Sequence, residues 1–98
     1  MIAIFVACNQ AVYDDVIEVM HRHNIKGFTG WDNVTGAGSR GGEPHLGTSA
    51  WPTMNSALIT FVEDEERAKR FMDALSALDK QFEKLGLRAF SWKVDSTI

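Results

Sequence analysis

The stretch Ile2 to Cys8, IAIFVAC, carries no polar side chain before its terminal thiol. A strand covered on one face alternates apolar and polar residues, so a run apolar at every position belongs inside a sheet with both faces protected. The segment NSALITFV repeats the pattern, with Ala57, Ile59 and Phe61 on one side and Leu58, Thr60 and Val62 on the other. In LRAFSWKV, Phe90, Trp92 and Val94 oppose Leu87 and Ala89. Three strands that are apolar on both faces need two covers, and this chain must supply or recruit both.

Two segments have the 3.6-residue period of amphipathic helices. In NQAVYDDVIEVMHRHN, Val12, Val16, Val19 and Met20 form a stripe that Tyr13 and Ile17 widen. Asn9 is a candidate N-cap, and Asp14 and Asp15 suit an early turn. His21 and His23 fall in the last turn, two residues apart and so on different sides of the helix; they suit its dipole and are not a ligand pair. Asn24 ends it. The second helix spans Asp64 to Leu85, capped by Asp64, with Ala68, Phe71, Met72, Leu75, Leu78, Phe82 and Leu85 as its apolar stripe and Gly86 as its stop.

KGFTGWDNV, weakened by Gly27 and Gly30, completes the set as a strand. The order is then βαββαβ. This predicts an α+β, ferredoxin-like single domain over residues 1–98: a four-stranded antiparallel sheet with two helices on one face. The helices supply one cover. The second cover is expected to be another subunit, so the chain is expected to be a homo-oligomer.

The formal net charge of −3 argues against a nucleic-acid partner, which favours a basic surface. Ile2–Cys8 is too short to span a membrane and lacks a basic leader. A lone cysteine permits no intrachain disulfide, and the expected compartment is the cytoplasm.

Between the second and third strands lies TGAGSRGGEPHLGTSAWP, with five of the chain's eight glycines and both prolines. It has no period of either kind. A long structureless loop, about 35–53, inside so small a domain is either functional or a slack connector. Gly36, Gly38, Gly41 and Gly42 can turn backbone N–H groups toward an anion, with Arg40 adding charge. His45, beside Glu43, is a weak candidate metal ligand, since a lone loop histidine is more often simply solvated; a threefold axis would gather three copies. Leu46 and Trp51 offer a partner or a neighbouring subunit something to grip. Trp31 and Trp92 read as sheet or interface residues, Asn55 as a polar contact opening the third strand, and Cys8 as a small apolar filler. No catalytic set is present, because no nucleophile has a base at a recognisable spacing. The acids of the second helix form its solvated face.

Asp14-Asp15-Val16, then Gly27-Phe28-Thr29, then Gly36-Ala37-Gly38-Ser39 opening a glycine-rich loop, together resemble the P-II nitrogen regulatory proteins. The resemblance runs over most of the chain in the right order. It implies a homotrimer that binds a small effector, anionic or a nucleotide, in clefts between subunits. It also implies that loop 35–53 reports effector state to a partner protein. On this reading Thr29, Gly36, Gly38, Ser39, Arg40 and Arg88 contact the ligand, and His45, Leu46 and Trp51 serve recognition. Two departures stand out. The glycine- and lysine-rich phosphate loop of P-II proteins is replaced by EKLGLR, which offers only Lys84 and Arg88. The loop also has no tyrosine for uridylylation, since the chain's one tyrosine is Tyr13. The resemblance implies a regulatory binding protein and not an enzyme; nucleotide and metal both remain open as cofactors. Two rival readings are a metal-responsive protein resembling the divalent-cation tolerance family and a small dimeric α+β-barrel enzyme of monooxygenase or isomerase type.

Overall fold

A computed structural model describes residues 1–40, 43–83 and 86–98. The elements are β1 (Ile2–Asn9), a 3-10 turn (Gln10–Val12), α1 (Tyr13–Arg22), β2 (Thr29–Val34), β3 (Asn55–Val62), α2 (Glu65–Gln81) and β4 (Arg88–Lys93). The sheet order is β2-β3-β1-β4, and every neighbouring pair is antiparallel. The βαββαβ order and the ferredoxin-like α+β architecture expected from the sequence are present. Of the three doubly apolar segments, β1 and β3 are the central strands, while β4 lies at an edge of the sheet.

Several boundaries differ from the sequence reading. Asn9 caps the 3-10 turn and not α1: its Oδ1 accepts from Ala11 N–H at 2.9 Å. The α-helix proper begins only at Tyr13. Asn24 lies two residues beyond the helix in the left-handed region, at φ +57°. β2 starts at Thr29 and not Lys26, and its pairing with β3 shifts between Trp31 and Val34, where Asn33 adopts φ +55°. A bulge of this kind twists an edge strand away from further pairing. α2 ends at Gln81, because Phe82 leaves the helical region at φ −126°. Phe82 still packs half-buried against the core. Leu85, the last residue of the expected stripe, lies outside the described residues.

The core sits between the sheet and the helices. Ile4, Val6 and Cys8 of β1 and Leu58 and Val62 of β3 meet Val16, Val19 and Met20 of α1 and Ala68, Phe71, Leu75 and Leu78 of α2. Thr60 is buried in the same layer, and its hydroxyl donates to Gly27 C=O at 2.6 Å, which ties the α1–β2 connection to the sheet. Asp64 begins α2 as expected, accepting from Glu66 N–H at 2.9 Å and Arg67 N–H at 3.3 Å.

Candidate functional site

Strand alternation places Ala3, Phe5 and Ala7 of β1, Ala57, Ile59 and Phe61 of β3, Trp31 of β2, and Phe90 and Trp92 of β4 on the face away from the helices. Their registers interlock. Phe5 lies between Ile59 and Phe90, and Ala3 between Phe61 and Trp92. The small alanines are covered by their large neighbours, Ala3 completely. The outermost rings stay open: Trp31 is 46% exposed, Trp92 48%, Phe61 53% and Phe90 58%. So much contiguous aromatic surface marks an interaction face.

Loop 35–53 leaves β2 and returns to β3. It is not the structureless connector its composition suggests. Gly36 and His45 form an isolated antiparallel bridge: Gly36 N–H donates to His45 C=O at 2.9 Å, and His45 N–H donates to Gly36 C=O at 2.7 Å. Asn55 Oδ1 accepts from the His45 ring Nδ1–H at 2.6 Å. Nearer β3, Gly47 N–H donates to Thr53 C=O at 3.2 Å and Thr48 N–H to Trp51 C=O at 2.9 Å; the Thr48 hydroxyl accepts from Trp51 N–H at 3.1 Å. Gly47 sits at φ +68°, which suits glycine. Among the described residues the loop thus holds a first turn at Ser39–Arg40 and a second between Gly47 and Thr53, with His45 between them.

The candidate residues fall into two groups. Gly36, Gly38, Ser39 and Arg40 lie together on the first turn, with Gly38, Ser39 and Arg40 exposed. Gly41 and Gly42 lie outside the described residues. Leu46 and Trp51 are exposed on the second turn. Thr29 opens β2, paired with Ile59, at one edge of the sheet. Arg88 opens β4 at the opposite edge, where its Nη1 donates to Leu87 C=O at 2.7 Å and lies 3.7 Å from Asp79. Two strands separate Thr29 from Arg88, about 14 Å at ordinary strand spacing. Lys84 lies outside the described residues.

Three contacts were not foreseen. Ser56, fully buried, donates to Asp32 Oδ1 at 2.9 Å. Tyr13 lays its hydroxyl against β2 where only a glycine leaves room: a Cβ on Gly30 would collide with it. Burial, then the Asp32 carboxylate, raise the Tyr13 hydroxyl above its ordinary pKa. The third is the His45–Asn55 bond; Asn55 had shown itself only as a polar residue opening a strand. Cys8 is a core filler as expected, its thiol pushed up to about 11 by burial. It faces the helices, whereas Asn55 and its partner His45 sit on the other face, so the fold does not join Cys8 to His45. His23 donates from Nδ1 to Val19 C=O at 2.9 Å, satisfying a carbonyl at the end of α1. Among the described residues no three His, Cys, Asp or Glu side chains gather as a metal would require, and no helix is long and apolar enough to cross a membrane.

No protein-family model matches the chain, and no curated protein matches it in sequence. Solved structures that share its fold are PII-like nitrogen regulatory proteins. CPII of Thiomonas intermedia K12, bound to ADP and bicarbonate, superposes with a TM-score of 0.72 at 20% identity, over 93% of this chain and 82% of that one. A protein of Thermus thermophilus described as PII-like in signaling gives 0.68 at 25% identity, over 95% and 85%. The apo form of CPII gives 0.65 at 13% identity, over 95% and 89%. These values establish a common fold over nearly the whole chain.

Proposed function

We propose that this chain is a PII-like regulatory protein that assembles as a homotrimer, binds a small anionic effector between subunits and signals through loop 35–53. The observation that carries the reading is the placement of the candidate residues on opposite edges of one sheet. Thr29 and the first turn of the loop belong to the β2 side, and Arg88 to the β4 side. One protomer cannot close both around a small ligand. A head-to-tail ring sets the β2 edge of one copy beside the β4 edge of the next, and such heterologous contacts close into cyclic oligomers. The aromatic face gives the ring a reason to form, since burying it removes Phe61, Phe90 and Trp92 from water.

Within that cleft the glycine turn supplies backbone donors, and Arg40 and Arg88 supply charge-assisted bonds to an anion. CPII holds ADP and bicarbonate, which supports a nucleotide diphosphate or bicarbonate as the effector class here. Effector binding would favour one arrangement of the loop, and a partner protein would read that arrangement through Leu46 and Trp51.

Native mass spectrometry with added ADP and bicarbonate tests this directly. The expected result is a trimer that carries both ligands, with occupancy lowered by Arg40→Ala and by Arg88→Ala. A stable dimer, or a trimer that takes up neither ligand, overturns the reading.

A further inference from the structure

We propose that Gly36, His45 and Asn55 form a latch across the base of the loop, which withholds the Gly36 N–H from the glycine turn until it opens. The inference rests on the effector-binding reading for its purpose, but the latch is argued from its own geometry. In the glycine turn Gly36 would be the first backbone donor offered to an anion, yet here that donor is spent on His45 C=O at 2.9 Å. The return bond, His45 N–H to Gly36 C=O at 2.7 Å, closes the pair. The Asn55 amide then holds the His45 ring from the side, at 2.6 Å.

Residue 36 must be glycine for this to work, and the reason is space. Its backbone lies outside the left-handed region. A Cβ there would collide with Asn55 Nδ2 and approach Asn55 Cγ to 3.2 Å. The amide reaches His45 only by lying across the bare Cα of Gly36. Asn55 is in turn rigid, because it opens β3 and is paired with both Asn9 and Val34. One side of the latch is therefore anchored in the sheet and the other is carried by the loop.

The latch is also built to open. Its backbone pair is an isolated bridge with no ladder on either side, and Gly36, His45 and Asn55 are all half-buried. Such pairs open locally at far less cost than the central β1–β3 ladder. Opening frees three donors at once: Gly36 N–H, His45 N–H and the His45 ring N–H. Ser39 and Arg40 lie between the two latch residues, so an anion held there would compete with His45 for Gly36.

Amide hydrogen exchange on the full-length protein, followed by NMR, measures the availability of that donor. In the unaltered protein, Gly36 and His45 should exchange more slowly than an open loop but faster than Ile4 and Leu58. Asn55→Ala and Gly36→Ala should each speed both amides by about two- to tenfold, the loss of one side-chain hydrogen bond. The protection of β1 and β3 should persist. The double variant should exchange no faster than Asn55→Ala alone, because both substitutions act through one amide group. Unchanged exchange in either single variant, or multiplied effects in the double, overturns the latch. ADP titration of the same proteins tests its purpose: Asn55→Ala should bind ADP more tightly by the factor seen in exchange. Faster exchange without tighter binding overturns the withholding role. If the unaltered protein binds neither ADP nor bicarbonate, the effector reading falls and exchange alone decides the latch.

Discussion

The two faces of this sheet are made by the same four strands and have opposite fates. On one, Ile4, Val6, Leu58 and Val62 disappear under α1 and α2. On the other, residues one step along the same strands carry Phe61, Phe90 and Trp92 into the open. Hydrophobicity does not distinguish them, and the open face has the larger rings. What differs is the cover each was built to receive. The helix face is completed within the chain by the stripes of α1 and α2, and among the described residues nothing covers the open face.

Truncating one ring on each face breaks the comparison most sharply. Phe71→Ala empties the centre of the helix-side core, where Phe71 is wholly buried, and should cost about 3–5 kcal/mol in urea denaturation, independent of protein concentration. Phe90→Ala removes the same atoms from the open face, and its cost should grow as the protein is diluted, because it acts through association. A Phe90 effect that ignores concentration would mean that the open face has no subunit on it.

A charge sharpens the same contrast. Trp92→Asp places a carboxylate among Ala3, Phe61 and Phe90, where a subunit packed on this face would offer it no partner. Sedimentation velocity should show the oligomer replaced by single chains whose far-ultraviolet circular dichroism remains that of a folded α+β protein. Retention of the oligomer would place the interface elsewhere.

The contrast also explains what the sequence could disclose. Periodicity made β1, β3 and the stripe from Ala68 to Leu78 legible, because burial imposes regular spacing on every residue of an element. The exposed aromatic face was legible for the same reason, as a second apolar side without a cover. The loop was not, because its order comes from single contacts with no period, Gly36 to His45 and His45 to Asn55 among them. Nothing in the composition of TGAGSRGGEPHLGTSAWP says that Gly36 pairs with His45 or that Asn55 reaches across a missing Cβ. Tyr13 over Gly30 and Ser56 on Asp32 were hidden likewise. In the sequence Gly30 suggests a weakened strand and Gly36 a backbone donor for an anion, and in the structure both serve as clearance. Gly36, Gly38 and Arg40 follow from residue chemistry and Thr29 and Arg88 from a resemblance, and only the sheet order shows that Thr29 and Arg88 stand on opposite edges.

Smaller effects test how completely the helix face is sealed by its own chain. Asp64→Ala removes the acceptor for Glu66 and Arg67 N–H. It should lower stability by about 1 kcal/mol in denaturant. No change in oligomeric mass should accompany it, since α2 covers the face that needs no partner. A cost near zero would mean that solvent serves those N–H groups equally well.

The finest probe of that seal is Cys8, on β1 with its thiol turned into the core. Burial raises its pKa from 9.0 to about 11, so the fold favours the protonated thiol. The sign follows from linkage: with the folded value above the unfolded one, the contribution is fully present below pH 9. Between about 9 and 11 the unfolded chain sheds its proton while the folded chain keeps it, and the contribution is lost as pH rises through the folded value. The Tyr13 hydroxyl, itself raised by burial, also ionises in alkaline solution, so the useful quantity is the difference between the unaltered protein and Cys8→Ala. Urea midpoints of the two should run parallel from pH 7 to 8.5. Above pH 9 the unaltered protein should fall away faster. Parallel curves through pH 11 would mean that water reaches the thiol, and that the helix-side face breathes in a way its packing does not show.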